Sequence, residues 1–156
     1  MNRPTPTDVE VKFEGGNMIT ETDLHGKITY VNRLFIQMSG YEKEELIGKP
    51  HSIIRHPDMP KCCFQSMWET VERGYPWEGY VKNLRKDGAF YWVIVTVTPK
   101  YDESGKICGF IAVRKPPGEL TLEEIKAKYT QMMEKEVCRQ ENNDFVPELF
   151  KQLSTG

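Results

Sequence analysis

Apolar and polar residues alternate in two short runs near the N-terminus, and a period of two predicts strands. Val9, Val11 and Phe13 alternate first and precede Gly15-Gly16, which reads as a short extended or capping segment hinged flexibly to the domain. Met18-Ile19-Thr20-Glu21-Thr22 predicts a strand, Asp23 to Lys27 a turn with a solvated His25, and Ile28-Thr29-Tyr30-Val31 the returning strand. From Asn32 the apolar spacing changes to three and four. Leu34, Phe35 and Met38 predict a helix capped by Asn32 and stopped at Ser39-Gly40. A second short helix, Glu42 to Ile47, stops at Gly48, and a longer one, Lys61 to Arg73, carries Phe64, Met67, Trp68 and Val71 on one face before Gly74. Trp77 to Arg85, Ala89 to Tyr101 and Lys106 to Lys115 are rich in Val, Ile, Thr and aromatics and are separated by short turns. They predict two consecutive antiparallel hairpins.

The order is therefore two strands, several short helices and three strands. That predicts an α+β fold, a five-stranded antiparallel sheet with the helices covering one face and flanking N- and C-terminal segments. The divisions are residues 1–16 as a cap, 17–118 as the domain, and 119–156 as a C-terminal helix and tail. Thr121 and Glu124 form a candidate capping box for a helix with Leu122, Ile125, Tyr129 and Met132 on one stripe, suited to docking on the sheet or on a second chain. Phe145, Val146, Leu149 and Phe150 in the tail suggest a small extra helix around Pro147.

Composition adds mainly exclusions. The 156 residues suit one domain, and 21 basic against 23 acidic side chains leave no electrostatic footprint for nucleic acid or an anionic membrane. No apolar run approaches the ~20 residues of a membrane span, and Met1 to Thr7 lacks the apolar core of a signal peptide, so a cytoplasmic protein without membrane insertion is expected. Cys62, Cys63, Cys108 and Cys138 show no metal-binding spacing. Of the adjacent helical pair Cys62 and Cys63, one is expected to face the core and the other a boundary.

Candidate chemistry is concentrated in two places. Residues 48 to 60 gather Arg55, His51, His56 and Asp58 among Pro50, Pro57 and Pro60, which hold the backbone in turns, while Ile53 and Ile54 point inward. The stretch reads as the wall of a ligand pocket, with Asp58 also a candidate cap for the helix after it. In the third strand Trp77, Gly79, Val81 and Asn83 share a face. A large aromatic, a glycine and an amide on one face suit a planar heterocycle; an aromatic core with Asn83 bonded to a loop is the plainer alternative. There is no nucleophile elbow, phosphate loop, HExxH or Cys/His pairing, and His56 and Asp58, two apart across Pro57, are not expected to face each other. No enzymatic turnover is expected.

Taken together, these residues resemble a PAS domain, and specifically the flavin-binding PAS domain of aerotaxis (energy-taxis) receptors. The carriers are Asp23-Leu24, Ile28 to Asn32, Ser39-Gly40-Tyr41, the run Ile54-Arg55-His56-Pro57-Asp58-Met59-Pro60-Lys61, then Pro76-Trp77, Val81-Lys82-Asn83 and Tyr91-Trp92-Val93. The resemblance implies the PAS fold and noncovalent FAD between helices and sheet, with Arg55, His56, Asp58, Trp77 and Asn83 at the flavin-binding positions and no metal. It also implies a redox or oxygen sensor that signals to a chemoreceptor-type protein or domain, with a homodimer through the flanking segments as a further expectation. Light-sensing relatives carry a reactive cysteine where this chain reads Pro50-His51-Ser52-Ile53-Ile54-Arg55, so adduct photochemistry is not implied. The alternatives are a haem-binding gas sensor with His51 or His56 as ligand, and a cofactor-free interaction module.

Overall fold

A computed structural model describes residues 3–118, 123–128 and 130. Strands β1 (Met18–Thr22), β2 (Ile28–Val31), β3 (Trp77–Leu84), β4 (Phe90–Tyr101) and β5 (Ile107–Lys115) form one antiparallel sheet in the order β2-β1-β5-β4-β3. Helices α1 (Arg33–Ser39), α2 (Lys43–Leu46) and α3 (Lys61–Glu72) and a 3-10 turn (His51–Ile54) join the first hairpin to β3. The β-strands thus fall within a residue or two of the positions expected from the alternation. The 3-10 turn is an addition, formed where Pro50 presets an extended entry and the Ile53 and Arg55 amides bond back to Pro50 and Ser52.

Local signals set the helix ends. The Asn32 side chain accepts from Phe35 N–H at 3.1 Å and from Ile19 N–H at 3.1 Å, so one amide caps α1 and ties it to β1. Gly40, at φ 78°, closes α1 in the left-handed conformation. Asp58 does not cap α3: the N-cap is Pro60, without a side-chain hydrogen bond, and Asp58 pairs with Lys82 Nζ at 3.0 Å instead. Cys62 and Cys63 also depart from expectation, since both are buried in the core where α3 packs on the sheet.

Residues 7–11 are docked and not hinged. They run parallel to the first residues of β4, beyond the end of β5, with hydrogen bonds from Thr7 N–H to Gly88 O, Phe90 N–H to Val9 O and Val11 N–H to Phe90 O. Phe13 follows them into the core. Helical residues 123–128 bring Ile125, fully buried, to the same core, and Lys126 Nζ lies 5.8 Å from the Trp92 ring centre and 3.9 Å from Glu10. The expected roles of Thr121, Leu122, Tyr129, Met132 and residues 140–156 lie outside the described residues.

Candidate functional site

The register of β3 on β4 pairs Trp77 with Val97, Gly79 with Val95, Val81 with Val93 and Asn83 with Tyr91, so these side chains share the face toward the helices. Between that face, α3 and the 3-10 turn lies a cavity of about 220 Å³. Phe64, Met67 and Trp68 of α3 wall it on one side and Val81, Val95, Val97, Phe110 and Ala112 on the other. Gly26, at φ 81°, lets the first hairpin turn approach Trp68: a Cβ there would sit 3.3 Å from the indole. His25 of this turn is exposed, as expected, yet it also lines the cavity.

The polar lining is sparse and specific. Asn83 is buried, and neither its Nδ2 nor the hydroxyl of the neighbouring Tyr91 has a hydrogen bond of ordinary geometry, although the two side chains interact. Thr22 Oγ1, also in the lining, is buried without a partner as well. Buried polar atoms are satisfied in the great majority of cases, so two exceptions on residues that line one cavity single it out as the candidate ligand site.

At the other end Arg114 is 3% exposed. Its guanidinium donates to Thr20 Oγ1 at 3.1 Å and meets His51 Nε2 at 2.6 Å, and its Cζ lies 4.9 Å from the centre of the Phe35 ring. Because an arginine only donates, Nε2 must accept, which places the His51 proton on Nδ1. Burial, and then the Arg114 charge, push His51 down to about 3, so the imidazole is neutral. Burial pushes Arg114 down to about 10, which leaves it charged at neutral pH. Among the described residues no carboxylate lies within 4 Å of it. A neutral ring, a hydroxyl and a π face compensate it only in part, and the cavity keeps a positive end.

The structure divides the five candidate site residues into two groups. Arg55 and Asn83 line the cavity and face each other through an isolated antiparallel bridge on the free edge of β3. Trp77 is buried on the same face of β3, nearer the strand's start and outside the lining. His56 and Asp58 are outside it too. His56 N–H donates to Lys82 O at 3.3 Å, its ring packs edge-on against Phe90, and its Nδ1 accepts from Asp58 N–H at 3.0 Å. The two are thus neighbours after all, because the turn at Pro57 folds the chain back on itself. They fasten the loop to β3 and so hold Arg55 at the cavity rim.

Arg114 and the Thr20 and Thr22 hydroxyls are not singled out at the sequence level, where His51 has a place in the 48–60 pocket wall and, in the haem alternative, as a ligand, but no pairing with an arginine. Arg114 was findable: it follows Phe110 and Ala112 at spacings of two on the inner face, where an arginine is out of place. Nothing local pairs it with His51, 63 residues away.

The PAS fold family matches residues 28–114, more than half of the chain, from the start of β2 to near the end of β5, with β1 outside the match. The chain belongs to the PAS family. Its PAS domain is 48% identical over 97 residues to the aerotaxis receptor of Escherichia coli (strain K12), a match covering 62% of this chain and 19% of the receptor. It is 28% identical over 117 residues to the nitrogen fixation regulatory protein of Klebsiella pneumoniae, covering 74% of this chain and 24% of that one. The chain therefore spans about a quarter or less of the length of these relatives. The blue-light photoreceptor Aureochrome1 LOV, in its light-state structure, shares the fold with a TM-score of 0.64 at 19% identity, covering 71% of this chain and 89% of that one. Among the described residues, no helix is long and apolar enough to cross a membrane and no group of three or more His, Cys, Asp and Glu could hold a metal ion.

Proposed function

We propose that this PAS domain is a sensor that holds FAD noncovalently, with the flavin ring between α3 and the sheet, and that it signals the flavin's redox state to a chemoreceptor-type partner. The observation that carries the reading is the Asn83 Nδ2, buried and unpartnered on a residue that lines a mainly apolar cavity with a cationic end. Its amide and the Thr22 hydroxyl suit the polar edge of the ring, while Phe64, Met67 and Trp68 exclude water from its faces. The flavin supplies reversible electron transfer; the protein supplies position and field. Trp77 supports the wall from the start of β3, and His56 and Asp58 act through the loop that carries Arg55. The similarity to an aerotaxis receptor supports the sensory role.

Two observations favour a flavin over haem: His51 Nε2 already accepts from a charged guanidinium, and His56 Nδ1 accepts from the Asp58 amide. The purified protein is expected to show a flavin absorption spectrum, with FAD released intact on denaturation. Asn83→Ala should lower flavin occupancy severalfold, whereas Trp92→Ala, on the opposite face of the sheet, should leave the cavity's contacts intact. A Soret band, or a colourless protein that takes up no FAD, would overturn the reading.

A further inference from the structure

The cavity is smaller than the ~300–1,000 Å³ of pockets that enclose a whole drug-sized ligand. It can take a ring system but not a dinucleotide, so the remainder of such a ligand must leave past the rim, where half-buried Arg55 stacks over Phe64 at 4.8 Å. A second guanidinium comes near: that of Arg3, which is exposed and outside the cavity lining, yet whose charge acts on Arg55. Arg3 Nη2 donates to the Arg55 backbone carbonyl, which brings the N-terminal arm to the rim from a docking site on β4. The arm is held on that course by the hydrogen bonds of Thr7 and Val9 to Gly88 and Phe90, and by Gly88 itself, whose missing side chain leaves room for the Thr5 carbonyl.

Among the described residues neither arginine is neutralised. Among the described residues no carboxylate lies within 4 Å of Arg3 or Arg55, although Asp58 and Glu45 nearby are already paired with Lys82 and Lys86. Burial first, and then the Arg3 charge, push Arg55 down, so the two cations oppose each other across the rim. An arrangement in which like charges converge without a counter-ion is complete only when an anion joins them.

We propose that Arg3 and Arg55 together form a clamp for the pyrophosphate of the bound dinucleotide, and that Arg3, brought in by the N-terminal arm, makes the site select a dinucleotide over the bare flavin. The proposal rests on the flavin reading and adds to it Arg3, a residue that reading does not need. The two guanidinium groups would share the pyrophosphate at the rim.

The test is the binding of FAD and of riboflavin to the apoprotein, wild type and Arg3→Ala, followed by quenching of flavin fluorescence. Arg3 is exposed, and circular dichroism should show the variant folded. The expected result is a wild-type preference for FAD that falls about ten- to a hundredfold in Arg3→Ala, as for one lost charge-assisted contact, with riboflavin affinity unchanged. An unchanged preference, or an equal loss for both ligands, would show that Arg3 only braces the loop; this overturns the clamp and leaves the flavin reading standing. Failure of the wild type to bind either ligand would remove both.

Discussion

Asn83 and Arg114 are out of place for opposite reasons, one a buried amide without a partner and the other a buried charge without an acid. The chain tolerates Arg114 by keeping His51 neutral, and that arrangement has a pH signature. His51 is pushed down to about 3 from an ordinary 6.5, so below pH 6.5 the unfolded chain binds a proton that the folded one refuses. Its contribution to stability is therefore complete above pH 6.5 and is lost as pH falls toward 3. At about 1.4 kcal/mol per unit of displacement, the loss reaches roughly 5 kcal/mol at the acid limit. His56, pushed down to about 4 by burial and then by Lys82, acts in the same direction. His51→Gln keeps an acceptor for Arg114 and removes the titration. Denaturant melts between about pH 7 and pH 4 should show a shallower decline for this variant; an equal slope would mean that His51 does not stay neutral. Asn83 was legible because strand alternation alone assigns its face, whereas the Arg114 environment required knowing which helix covers β5.

Among the elements, the 55–58 loop carries Arg55 to the cavity rim and β5 supplies Phe110, Ala112 and Arg114 to the wall. The loop lies along the free edge of β3, using the Arg55 bridge and the His56 to Lys82 hydrogen bond, and so protects an edge strand while delivering a side chain to the rim. Its prolines announced turns, and the turns are there; the direction in which His56 and Asp58 point came from pairing with a strand that lies 24 residues beyond Asp58 at Lys82. In β5, Gly109 passes so close to β1 that a Cβ would meet the Thr22 carbonyl oxygen. Gly109→Ala must spread the β1–β5 pairing and is expected to cost about 1–3 kcal/mol, like other overpacking substitutions. Gly15→Ala, where nothing lies within 4 Å, is the control and should change little. A lower urea midpoint at unchanged m-value for the first, and none for the second, is the expected pattern.

At the scale of the whole molecule, the two flanking segments meet on the outer face of the sheet. Glu10 of the N-terminal arm approaches Lys126, Lys126 covers Trp92, and Ile125 is buried in the shared core. The inner face holds the proposed flavin, and β3 and β4 carry both faces, so a change in the hydrogen bond at Asn83 has one strand to cross before it reaches these flanks. Hydrogen exchange on the oxidised and dithionite-reduced protein should therefore differ in residues 7–13 and 123–128 as well as in β3. Identical protection in the two states would leave the flavin without an output route through this surface.

Strand positions, helix stops, the α+β order and the shared face of Val81 and Asn83 were legible from the sequence, because each depends on local periodicity, capping or turn chemistry. Contacts between distant segments were not. The meeting of Arg114 with His51, the docking of residues 7–11 on β4, and the convergence of Arg3 with Arg55 join positions between 52 and 81 residues apart. Each depends on the order in which strands pair and on what the helices then cover, which periodicity along one strand does not encode. The sequence by itself determined which side chains face inward; the tertiary structure decided which of them meet.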